Sequence, residues 1–231
     1  MIRQSKDLLL PLVVGGLLLA TAAQAADPGS ATMAPSHVQQ RPVQSLDPPE
    51  TFAQVQNAQA RSVAYFLEAG KVIVHPRCIN CHPSGDQPLQ GELSEPHQPA
   101  VFRGPDDHGE VGMRCQTCHF GENFVAGAVP GHEPWHLAPI EAAWEGLTLT
   151  EICHQLKDRE RNGDRSLDEM AHHMAEDGLV GWAWDPGPGR EPAPGSWEVF
   201  AQLIHAWIDS GAHCPDDPGV QLVTAQAASE N

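Results

Sequence analysis

The sequence predicts a mainly α fold: short helices joined by long Pro/Gly-rich loops, with little or no sheet. Three observations carry that expectation. The chain holds 21 Gly and 21 Pro against 6 Phe, 6 Trp and 1 Tyr, so much of it is turn and loop around few bulky side chains. Apolar residues recur at helical spacing in several stretches, and two of these open with a Ser/Thr-x-x-Glu capping box. A length of 231 residues bounds the chain to one or two small domains.

Residues 1–25 read as a secretory signal peptide. Arg3 and Lys6 precede an apolar run from Leu8 to Ala20, and Ala23-Gln24-Ala25 offers a cleavage site; an uncleaved membrane anchor is the alternative. No other stretch could span a bilayer. Residues 26–50, with Pro28, Pro35, Pro42, Pro48 and Pro49 among Ala, Ser and Gln, lack hydrophobic periodicity and read as a flexible tether.

A helix is predicted from near Thr51, with Phe52, Val55, Val63, Phe66 and Leu67 on its stripe and Gly70 as its stop. A second spans Thr148–Lys157, with Leu149, Ile152, Cys153 and Leu156 on one face and His154 pointing away. The third, Ser166–Asp177, buries Leu167, Met170 and Met174, and His173 borders that face. In the fourth, Ser196–Ser210, Phe200, Leu203, Ile204, Trp207 and Ile208 form the stripe, Gly211 ends it, and His205 lies outside. The organisation expected is a single body over 51–215 and a disordered tail over 216–231.

The formal charge is −17. Removing Arg3, Lys6 and Asp7 with the signal leaves 11 basic and 29 acidic residues, a formal −18. Such an excess of carboxylates repels phosphate backbones, which argues against nucleic-acid binding.

Two pentapeptides carry chemistry: Cys78-Ile79-Asn80-Cys81-His82 and Cys115-Gln116-Thr117-Cys118-His119. Both have the form C-x-x-C-H, the c-type haem attachment signature, and at this chain's Cys and His frequencies about 0.01 chance matches are expected. Two thiols three residues apart can form thioethers to the vinyl groups along one porphyrin edge, and the adjoining His then reaches the iron. Cys78, Cys81, Cys115 and Cys118 are thus the attachment residues, with His82 and His119 as proximal ligands of two haem c groups. A buried macrocycle also supplies the apolar surface that the aromatic-poor composition lacks. The competing readings are a zinc ribbon built from both cysteine pairs and a pair of redox dithiols; neither explains why His follows immediately both times. Cys153 and Cys214 remain, and in a secreted chain they are expected to pair, two free thiols being the alternative.

Distal ligands are less defined. His75, His97 and His136 lie in Pro-flanked or apolar loops near the motifs, and His173 borders a helix core; these four are the candidates. His75 comes too soon before Cys78 to reach over its own haem, so it would serve the other. His108 ranks behind them, and His37 falls in the tether.

These motifs resemble those of dihaem c-type cytochromes of the bacterial periplasm. More narrowly, residues 75–215 resemble small secreted cytochromes labelled isoquinoline 1-oxidoreductase subunit. The phrases that carry this are His75-Pro76-Arg77-Cys78-Ile79-Asn80-Cys81-His82-Pro83, Trp135-His136-Leu137-Ala138-Pro139, Leu156-Lys157-Asp158 and Pro192-Ala193-Pro194-Gly195. The resemblance implies a periplasmic acceptor subunit that takes electrons from a molybdenum hydroxylase; nothing in the chain itself resembles a molybdopterin or iron–sulfur site. The expected function is therefore electron carriage with both irons six-coordinate. The alternatives are a dihaem peroxidase-like enzyme with one open haem, and a haem-based sensor, for which no output domain is evident.

Overall fold

Why the chain folds mainly into helices is visible in the computed structural model, which describes residues 45–218. The signal peptide, most of the tether and residues 219–231 lie outside that span. No helix among the described residues is long and apolar enough to cross a membrane.

Helix α1 spans Ala58–Ile73, later than the sequence suggests at both ends, with Pro49–Phe52 forming only a 3-10 turn before it. The start is set by Asn57, whose side chain accepts from the Ala60 N–H and caps the helix. Gly70 does not stop it. A Cβ there would run into the Leu149 side chain, so the glycine serves close helix packing and α1 continues one turn further. Leu46, inside the stretch read as tether, is buried in the core, and the Asp47 N–H bonds to Glu68 at 2.8 Å. The packed body therefore begins before residue 51.

Helices α2 (Pro76–Ile79), α3 (Leu149–Lys157), α4 (Leu167–Glu176), α5 (Gly178–Gly181) and α6 (Trp197–Asp209) follow. Both capping boxes form: Glu151 and Glu169 each bond back to the N-cap backbone while Thr148 and Ser166 accept from the third helical N–H. Each cap is worth about 1 kcal/mol.

The core lies where α1 and α4 pack on α6. Val63, Phe66, Val72 and Ile73 meet Phe200, Leu203, Ile204 and Trp207, and the Phe66 and Trp207 rings stand 4.9 Å apart. Losing the Phe66 ring would cost about 3–5 kcal/mol. A Cys153–Cys214 disulfide, Cα atoms 5.7 Å apart, ties α3 to the chain after α6. Gly211, at φ +104°, ends α6 as expected.

Sheet is confined to two hairpins, β1 (Leu89–Gln90) with β2 (Glu95–Pro96), and β3 (Gly109–Glu110) with β4 (Met113–Arg114). Small as they are, they place two key residues: His97 directly follows β2, and Cys115 directly follows β4.

Candidate functional site

The first motif begins on α2. Pro76 opens that helix, and the His75 Nδ1 accepts from the Arg77 N–H at 3.2 Å as its N-cap. Cys78 and Cys81 fall one turn apart, and the His82 N–H bonds to the Ile79 carbonyl at 3.0 Å, continuing the turn. The second motif uses a 3-10 turn, Cys115–Thr117, from which the His119 N–H bonds back to the Cys115 carbonyl at 2.9 Å. In both, thiols three residues apart share one face, with the imidazole just beyond.

Two unrelated loops then treat the two motif histidines alike. His82 donates from Nδ1 to the Ala142 carbonyl at 2.7 Å, and its ring stacks on Trp144 with centroids 3.7 Å apart. His119 donates from Nδ1 to the Pro130 carbonyl, also at 2.7 Å, and stacks on Trp135 at 4.6 Å. A carbonyl only accepts, so each ring carries its proton on Nδ1 and keeps the Nε2 lone pair for a metal. Burial holds the His82 pKa down to about 4 and lowers that of His119, which keeps both rings neutral. Gly131 makes the Pro130 contact possible: a Cβ there would strike the carbonyls of Phe120 and Glu122.

Each histidine opens onto a cavity. The first, about 950 Å³ including its mouth, is lined by Cys78, Cys81 and His82, by Met170, His173 and Met174 of α4, and by Leu156 and Phe200. The second, about 1980 Å³ including its mouth, is lined by Cys115, Cys118 and His119, with His97, Trp135 and Trp182. Arg77, Cys81 and His136 line both, so the cavities share a wall.

The four histidines proposed as distal ligands are placed differently. In the first cavity His173 lines the wall together with His82. It donates from Nδ1 to Asp177 at 3.0 Å. In the second, the His97 and His119 rings stand 6.0 Å apart. That separation leaves room for one metal ion between the two rings. His97 donates from Nδ1 to the Pro99 carbonyl at 2.9 Å, leaving Nε2 free. His136 sits in the shared wall, its ring 4.8 Å from that of His108, and it too donates from Nδ1 to a carbonyl, that of Leu137 at 2.8 Å. His75 lines neither cavity; because its Nδ1 accepts from Arg77, its remaining proton is on Nε2.

Trp144 and Trp135 as stacking partners escaped sequence reasoning, since one follows its histidine by 62 positions and the other by 16. The arginines escaped it too. Arg77, Arg161 and Arg165 line the first cavity and Arg77, Arg103, Arg114 and Arg190 the second, six of the chain's 13 basic residues. The Nε–H groups of Arg77 and Arg103 are buried without a hydrogen-bond partner. Arg77 is otherwise paired with Glu92 and Arg103 with Asp107; in a chain of −17, arginines on apolar cavity walls that keep a spare Nε–H fit a ligand that is apolar in body and carboxylate at its edge, as haem is.

Burial keeps the thiols of the first motif protonated, which argues against a thiolate site there. All four motif thiols are free, and burial pushes Cys78 up to about 12 and Cys81 to about 11. Among the described residues only His154, Cys214 and Asp217 bring three possible metal-ligand atoms within 4.8 Å, and Cys214 is in the disulfide. The motif cysteines are thus not gathered into a zinc centre.

No family model, curated protein or solved structure matches the chain.

Proposed function

We propose that the protein is a secreted dihaem c-type cytochrome that carries electrons, in which His82 and His173 would hold one iron and His119 and His97 the other. The observation that carries this reading is the pairing of imidazoles in one tautomer: His82 with His173, and His119 with His97, line one cavity each, and all four hold Nδ1–H against an acceptor and so keep Nε2 for a metal, as His136 in the shared wall also does against the Leu137 carbonyl. A covalently held haem supplies a one-electron iron couple. The chain's part is to bind, orient and insulate. Cys78 with Cys81, and Cys115 with Cys118, form the thioethers; the tryptophans fix the planes of the motif histidines; Arg77, Arg103 and Arg165 offer donors to propionates.

A second imidazole at each cavity supports carriage over a peroxidase-like reaction, which needs one open iron. The shared wall of Arg77, Cys81 and His136 supports transfer between the two centres within one body. Periplasmic residence and an upstream molybdenum hydroxylase are part of the proposal and rest on the leader and on the resemblance.

The test is the intact mass and pyridine haemochrome of protein produced with a c-type haem maturation system. Two covalent haems per chain are expected, falling to one in Cys78→Ala/Cys81→Ala. An unmodified chain, or one that binds stoichiometric zinc instead, would overturn the proposal.

A further inference from the structure

Resting on the two-haem reading above, we infer that the second centre is the port to the partner, and that it docks a redox protein presenting an apolar patch ringed by Lys and Arg. Among the described residues, seven of the ten exposed large apolar side chains fall between Leu93 and Val125. Phe102 and Met113 line the second cavity, and its occupant would cover them. Leu93, Val111, Phe120, Phe124 and Val125 do not line it and stay exposed, Leu93 at 77% and Val111 at 88%.

Their placement makes a collar. Leu93 tips the β1–β2 hairpin and Val111 the β3–β4 hairpin, and both hairpins line the cavity. Phe120 follows His119 and packs edge-on against Phe124, ring centroids 6.1 Å apart. Apolar side chains held in water on turns that frame one cavity mark an interaction surface.

Charge identifies the occupant. Glu95, Glu110, Glu122 and Glu133 lie on the same loops, exposed, and form no ion pair among the described residues. Arg103 and Arg114, the basic residues of that segment, are already held by Asp107 and Asp106. The face carries an apolar collar around the cavity and, among the described residues, four unpaired carboxylates against one cation without an ion pair, Arg190 of the cavity wall, a balance that steers a basic-rimmed partner and repels an acidic one. The first cavity is walled by α3, α4 and α6, and of the exposed large apolar residues described only Val74 and Ile140 adjoin its lining, beside Ile73 and Pro139. Of the four motif cysteines only Cys118 is exposed; Cys78, Cys81 and Cys115 are half-buried.

The experiment measures the second-order rate of electron transfer from the reduced holoprotein to an oxidised basic monohaem cytochrome c whose haem edge is ringed by lysines. Glu110→Lys/Glu122→Lys should slow transfer about tenfold at low salt and converge with the parent at high salt. Glu141→Lys/Glu160→Lys, an equal charge change beside the first cavity, should stay within about twofold. Leu93→Ser/Val111→Ser should slow transfer several-fold at every salt concentration. Equal slowing by the two charge reversals, or greater slowing beside the first cavity, would overturn the port. So would sedimentation showing that the collar pairs two copies of this chain and that Leu93→Ser/Val111→Ser releases them. Haem content is recorded for each variant: loss of haem from the parent sinks the carrier reading, while intact haem with rates blind to the collar sinks only the port.

Discussion

His173 and Asp177 are bound one helical turn apart at the end of α4, with Nδ1 3.0 Å from the carboxylate. The other Asp177 oxygen accepts from the Leu179 N–H at 2.9 Å and caps α5, so the carboxylate is fixed from two sides. The His173 hydrogen bond holds the Asp177 pKa down to about 2. At the second cavity the corresponding partner of His97 is only the Pro99 carbonyl.

That asymmetry predicts unequal reduction potentials. A carboxylate on Nδ1 makes an imidazole a more basic ligand and favours the oxidised metal. Asp177→Asn should therefore raise the potential of one centre and leave the other in place, read by spectroelectrochemical titration. Equal movement of both potentials, or of neither, would count against His173 as a ligand.

Spin state separates the candidate histidines. His173→Ala and His97→Ala should each open one iron, giving a high-spin band and binding of one carbon monoxide per chain. His75→Ala should leave both spectra unchanged and cost at most about 1 kcal/mol as a lost N-cap. Carbon monoxide binding in His75→Ala would reverse this assignment.

Removing the disulfide tests the C-terminal framework separately from the cavities. Its 61-residue separation corresponds to about 4 kcal/mol in the chain-entropy model. Cys153→Ala/Cys214→Ala should lower stability to urea by an amount of that order while keeping the parent's optical spectrum. An unchanged unfolding midpoint would mean that the crosslink constrains little in the unfolded chain.

Acid should weaken the two capping boxes. Hydrogen bonds from Thr148 hold Glu151, and those from Ser166 hold Glu169, below the ordinary value of 4.5. A carboxylate that titrates lower when folded adds stability above its unfolded pKa and loses it as pH falls through the folded value. Unfolding midpoints should therefore decline below about pH 4.5, less steeply in Glu151→Gln/Glu169→Gln. Matching slopes for the two proteins would show that other groups set the acid limit.

Much of this architecture is legible locally. The capping boxes fix where α3 and α4 start, apolar stripes select the buried faces of α4 and α6, and two leftover cysteines in a chain with a leader pair with each other. Gly70 misleads because its role is set by Leu149, 79 positions away, not by its neighbours. Distal histidines are illegible for a similar reason. His75, His97 and His136 have comparable flanks; the folded loops set His75 apart because its Nδ1 meets an N–H, and they set His97 apart from His136 because only the His97 ring comes within 6.0 Å of the His119 ring. The arginines that line the cavities are scattered from 77 to 190 and look in sequence like ordinary surface charge.

Electron paramagnetic resonance of the fully oxidised holoprotein, quantified against its haem content, tests the central claim most directly. Two low-spin ferric signals that together account for two spins per chain, with no high-spin component, are predicted. A high-spin signal from one or both centres would contradict the paired-histidine assignment, and the absence of any ferric haem signal would contradict the cytochrome itself.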